Sequence, residues 1–192
     1  MTPKQEQKLI VRLKSRDEVA FRAVVQLYQD KVYNLVYRMM GDIQEAEDIS
    51  QEVFITIFKN IDAFRGDSLF STWLFRIAIN HCKNRLKYLS RRAKGRTQNL
   101  EDTPEGKLGQ SSIGSSLPRP DKMAMGKELE SVLQKAMAKL EDEHRTLIVL
   151  RDIENMPYSD IAKITGLKPG TVKSRLHRAR VALKEAVRRL YE

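Results

Sequence analysis

Apolar residues recur at three- and four-residue steps along most of this chain. Phe21, Val24, Val25, Tyr28, Val32, Leu35, Val36 and Met39 fall on one helix face. Gly41 and Asp42 then interrupt the pattern. It resumes with Ala46, Ile49, Val53 and Ile57, which predicts a second helix over about residues 45–61. A third is predicted over about 71–89, with Phe75, Ala78, Ile79, Cys82, Leu86 and Leu89 on its apolar stripe. Leu129, Val132, Leu133, Ala136, Met137 and Leu140 mark another. No stretch shows strand alternation, so the fold class is all-α.

The periodicity lapses between residues 95 and 120. Gly95, Gly106, Gly109 and Gly114 lie there with Pro104, Pro118 and Pro120, and serines fill much of the rest. We read residues 95–122 as a flexible linker. It separates an N-terminal helical domain, 1–94, from a C-terminal one, 123–192. Each is near the lower size limit for independent folding.

The spacing within residues 158–180 is more specific. Ala162 is small, as a close crossing of two helices requires. Gly166 follows four residues later, where the chain must leave a helix with positive φ. Pro169 suits the first turn of the next helix, and Val172 is its core anchor. This is the tight turn of a DNA-binding helix-turn-helix. Val172, Leu176, Ala179 and Leu183 form the inner stripe of the second helix. The outer arc carries Thr171, Ser174, His177 and Arg178, flanked by Lys173 and Arg175, with Lys168 just before it. Arg can read guanine edges, while Lys, Ser and Thr position phosphates. Val181 also falls on the outer arc, and the DNA-binding reading does not explain it.

Charge supports the same direction. The net charge of +10 points to nucleic acid, an acidic partner or a membrane surface. No apolar run approaches the roughly 20 residues needed to span a bilayer, so no membrane insertion is expected. The N-terminus is polar and does not read as a signal peptide. The sole cysteine, Cys82, excludes an internal disulfide, and a cytoplasmic location is expected. There is no phosphate loop, metal-ligand cluster or nucleophile–base pattern, and His81, His144 and His177 are scattered. No catalytic residue, metal or cofactor is expected.

Two further surfaces emerge. On the third helix, Trp73, Arg76, Asn80, Lys83, Asn84 and Lys87 lie opposite the apolar stripe. The preceding loop contains Phe64, Arg65, Asp67, Ser68 and Phe70. Aromatics beside cations can stack unpaired bases, and Asn80 could bond an extruded one. Packing of Trp73 within its own domain is an equal reading of the same spacing. On the second helix, Asp48, Gln51 and Glu52 share one exposed patch at i, i+3 and i+4. Such a patch suits a protein partner with Arg or Lys on its surface. An ordinary solvated face fits the spacing too.

Taken together, these segments resemble a bacterial RNA polymerase sigma factor of the extracytoplasmic-function group. The matching residues are Ala46 to Phe54, Phe64 to Asn80, and the helix-turn-helix. The resemblance runs from about Asp17 to Leu190, apart from the linker. It implies that Asp48, Gln51, Glu52 and Phe54 dock on core RNA polymerase. It implies that Phe64, Arg65, Asp67, Ser68, Phe70, Trp73, Arg76, Asn80, Lys83, Asn84 and Lys87 serve the minus-ten element of promoter DNA. It further implies that Lys168, Thr171, Lys173, Ser174, Arg175, His177 and Arg178 read the minus-thirty-five element. An anti-sigma factor is an expected partner, and a stress or envelope response an expected setting. The sequence departs from the family at Pro157, where a Ser-type cap is more usual, and at His177. The alternative is a conventional dimeric helix-turn-helix regulator binding duplex DNA by itself. It leaves the Trp73–Asn80 face and the acidic patch unexplained.

Overall fold

The computed structural model describes residues 3–97 and 120–192. Among these residues every regular element is helical. The N-terminal domain comprises α1 (Pro3–Lys14), α2 (Glu18–Met40), α3 (Ile43–Asn60) and α4 (Phe70–Thr97). The C-terminal domain comprises α5 (Pro120–Ala138), α6 (Asp142–Ile148), a π-helical turn (Val149–Ile153), α7 (Tyr158–Thr165) and α8 (Pro169–Tyr191). The predicted linker lies mostly outside the described residues. At its edges, α4 continues to Thr97 and α5 already begins at Pro120.

Local chemistry sets most of the boundaries. Asp17 caps α2 by accepting from the amides of Val19 and Ala20 at 2.8 and 3.2 Å. The Arg12 side chain beside it, with these amides, lowers the Asp17 pKa. Gly41 ends α2 in the left-handed region at φ 75°, its N–H bonding the Tyr37 carbonyl. Asp42 then caps α3 by accepting from the Glu45 amide at 2.9 Å. The interruption at Gly41 and Asp42 is therefore one stop and one start.

The periodicity does not predict α1, because its apolar residues form one short run, Leu9, Ile10, Val11 and Leu13, rather than a repeating stripe. The helix earns its place through Leu13, which is buried, and through Glu6. The Glu6 carboxylate accepts from the Phe70 amide at 2.9 Å and so caps α4 from another helix. The C-terminal domain also contains more than the periodicity suggested. Helix α6 is short, and its wholly buried run from Arg145 to Leu150 shows no amphipathic period. Beyond the π turn, Asn155 takes φ 53°.

In the N-terminal domain α2, α3 and α4 pack together, and in the C-terminal domain α8 packs against α5, α6 and α7. The two domains also touch, α4 against α7 and α2 against α5 and the π turn. Nearly all the buried apolar residues of both form one continuous cluster. Cys82 belongs to it, and burial pushes its thiol up to about 12, so it is a core residue.

Gly41 supports both the helix junction and the domain contact. A Cβ there would stand 3.3 Å from Gln134 Nε2 of the C-terminal domain, on a backbone that L side chains rarely adopt. Gly41→Ala is expected to lower stability by about 1–2 kcal/mol, read by urea unfolding. An unchanged midpoint would contradict this reading of the junction.

Candidate functional site

The helix-turn-helix forms as its spacing predicts. Gly166 takes φ 75° and its N–H bonds the Ala162 carbonyl at 2.9 Å. Pro169 opens α8. Pro157 supplies no side-chain cap; its carbonyl instead accepts from the Asp160 and Ile161 amides. Val172, Leu176 and Ala179 are buried against the rest of the domain, and Leu183 is half-buried. Lys168, Lys173, Ser174, His177 and Arg178 are exposed, while Thr171 is half-buried. The Ser174 hydroxyl donates to the Thr171 carbonyl at 3.1 Å.

Arg175 departs from the expectation. It is half-buried and ion-paired with Glu143 of α6, so it ties the recognition helix to its domain. Arg180 does likewise, donating from Nε to Asp152 of the π turn at 3.0 Å. Arg178 makes neither kind of tie. Lack of periodicity hid α6, and with it the acid that engages Arg175. Val181 is 51% exposed, as its outer-arc position required.

The loop before α4 holds a polar groove of about 530 Å³. Arg65, Asp67, Ser68, Thr72 and Arg76 line it, together with Ala63, Phe64 and Trp73. The aromatics require a correction. Phe64, Phe70 and Trp73 are 4%, 1% and 6% exposed, so they do not present faces for base stacking here. Their rings pack on one another with centroids 5.4–5.8 Å apart, and Tyr28 of α2 joins Phe70 at 5.8 Å. The packing reading of Trp73 holds in this structure. The cluster instead anchors both ends of the loop, while Gly66 turns at φ 82° between them.

Beyond the groove, Arg76, Asn80, Asn84 and Lys87 are exposed along α4, and Lys83 is half-buried. Lys163 of α7 reaches the groove from the C-terminal domain, its Nζ donating to the Asp67 carbonyl at 3.3 Å. Sequence reasoning missed that contact, which spans almost a hundred residues.

The acidic patch lies on α3. Gln51 and Glu52 are exposed; Asp48 is half-buried and accepts from Gln44 Nε2 at 3.3 Å. Polar contacts to His81 and Arg85 hold α3 against α4. Glu52 lies 3.3 Å from His81 Nδ1, whose Nε2 is 3.0 Å from the Thr56 hydroxyl. Glu45 pairs with Arg85 at 2.6 Å. Phe54 also requires a correction: at 8% exposure it is a core residue, so no docking role falls to it here. No group of His, Cys, Asp and Glu among the described residues could hold a metal ion. No described helix is long and apolar enough to cross a membrane.

Comparison with known proteins fits this layout. The family model for sigma-70 region 2 matches residues 24–92, and that for sigma-70 region 4 matches residues 131–183. The chain is 39% identical over 189 residues to the ECF RNA polymerase sigma factor SigW of Bacillus subtilis, covering 95% of this chain and 97% of that protein. It is 35% identical over 190 residues to the ECF RNA polymerase sigma-E factor of Escherichia coli, covering 96% and 95%. The fold is shared with the sigma factor RpoE of Bartonella quintana, solved in complex with the anti-sigma factor NepR. That likeness has a TM-score of 0.66 at 23% identity and covers 88% of this chain and 96% of that one. By sequence similarity over nearly its whole length, this chain belongs to the ECF sigma factors of RNA polymerase.

Proposed function

We propose that this protein binds core RNA polymerase in the cytoplasm and directs it to specific promoters as a non-catalytic initiation factor. The observation that carries this reading is the presence of three different surfaces on one chain. The outward side of α3 is acidic, the groove beside α4 is polar and flanked by cations, and α8 presents an exposed basic arc. The acidic surface suits a basic protein partner, and the other two suit promoter DNA. Within the groove, Arg65, Asp67, Ser68 and Arg76 offer donors and acceptors to an extruded base of the minus-ten element. Asn80, Lys83, Asn84 and Lys87 extend toward the flanking backbone. Lys168, Thr171, Lys173, Ser174, His177 and Arg178 serve the minus-thirty-five element. Control by an anti-sigma protein, as in the Bartonella complex, belongs to the same reading.

Distance imposes a condition on this proposal. Two elements about 25 base pairs apart are separated by roughly 85 Å along B-DNA. A compact chain of this length has a diameter of only about 40 Å. The domains must therefore separate on the promoter. Separation breaks the Lys163–Asp67 contact and frees the groove.

Asp48→Lys combined with Glu52→Lys is expected to weaken binding to core polymerase by at least about tenfold, with helicity unchanged and melting lowered only by the loss of the Glu52–His81 and Gln44–Asp48 contacts. Undiminished co-purification with core enzyme would rule out docking through this patch. Arg178→Ala in the holoenzyme is expected to lose about 1–3 kcal/mol of discrimination at one position of the upstream element. Arg175→Ala should weaken all upstream sequences alike, because Arg175 is held by Glu143. Binding to a set of singly substituted elements separates the two, and a uniform loss for Arg178→Ala would exclude base reading.

A further inference from the structure

The acidic patch poses a problem of magnitude. An exposed ion pair contributes a factor of only about two to five in affinity. Two carboxylates and an amide are therefore a weak basis for holding a large partner. Stable interfaces instead concentrate their affinity in a few desolvated anchors ringed by polar groups. Phe54 cannot supply such an anchor, since it is buried inside the N-terminal domain.

Ile55, the next residue, can. It is 52% exposed, although it is an Ile on a helix whose other isoleucines are buried or half-buried. At 100° per residue it lies about 20° from Asp48 around α3 and about 10 Å further along it. Gln51 and Glu52 flank it on either side, and Lys59 follows one turn on. It is thus the apolar centre of an otherwise polar outward arc. We infer that Ile55 is the apolar anchor of the polymerase-docking surface, entering an apolar pocket rimmed by Arg or Lys on core RNA polymerase. Asp48, Gln51 and Glu52 then steer and align the contact, while Ile55 supplies desolvated area and slows dissociation. The inference rests on the docking role proposed for the acidic patch.

The test is the affinity and dissociation rate of the full chain on core RNA polymerase at two salt concentrations. The variants are Ile55→Ser, Ile55→Ala, Val19→Ser and the double charge reversal at Asp48 and Glu52. Val19 on α2 is a matched control, 64% exposed and outside the arc. Ser and Ile have similar helix propensities, so neither Ser variant should unfold the protein; circular dichroism checks this. Ile55→Ser is expected to bind about tenfold more weakly, mostly through faster dissociation, with the salt dependence unchanged. Ile55→Ala should fall between it and the parent, and Val19→Ser should match the parent. Charge reversal should instead slow association and alter the salt dependence. Parent-like binding by Ile55→Ser, or an equal loss in Val19→Ser, would overturn the anchor while leaving the patch intact. Unchanged binding by the charge reversal would overturn the docking reading itself.

Discussion

Arg145 joins the two domains through hydrogen bonds made by one buried side chain. It is 6% exposed, and four of its N–H groups donate to backbone carbonyls. Nε bonds Met137 at 2.9 Å, Nη2 bonds Ala138 and Leu140 at 3.0 Å, and Nη1 bonds Met39 at 2.6 Å. Met137 and Ala138 lie at the end of α5, where helical carbonyls lack partners and the macrodipole favours a cation, and Leu140 lies just beyond it. The fourth belongs to the last turn of α2. Burial lowers the Arg145 pKa, but a guanidinium begins so high that the charge persists. One buried cation thus ends a helix of the C-terminal domain and joins it to the N-terminal domain. Gln134 reinforces the junction by donating to the Tyr37 carbonyl at 3.2 Å, and Arg38 pairs with Glu130 at 2.9 Å.

This arrangement decides which surfaces are open. The outward arc of α3 and the basic arc of α8 both face solvent. The groove beside the 64–70 loop is shared with Lys163. A compact chain can therefore meet a protein partner through α3 before its groove is free for DNA. Among the described residues, several interdomain hydrogen bonds are made to backbone carbonyls, which water would solvate if the domains parted. A buried apolar interface between the domains opposes that step, and a larger partner surface would have to offset it.

Much of this was legible in the sequence where local chemistry decides the structure. Gly41 and Asp42 mark a helix stop and start, and Gly166 and Pro169 mark the turn of the helix-turn-helix. Each depends on neighbours within a few residues. The inner stripe of α8 followed from period alone. What stayed hidden depends on partners distant in sequence. Glu6 caps α4 from α1, Glu143 engages Arg175, and Arg145 reaches Met39 across both domains. The burial of Phe64, Phe70 and Trp73 is of the same kind, since an aromatic beside cations can face either way until its neighbours are placed. Phe54 and Ile55 are adjacent, and only the orientation of α3 in the domain separates core from surface.

As an ECF sigma factor, this chain confers promoter recognition on a polymerase that lacks it. Run-off transcription with core RNA polymerase, on templates covering candidate promoters from the bacterium that supplies the chain, tests it most directly. Discrete transcripts that require both the protein and intact upstream and minus-ten elements are the predicted result. Tight binding to duplex DNA by the protein alone, with no promoter-dependent transcript, would contradict the account and favour a conventional regulator.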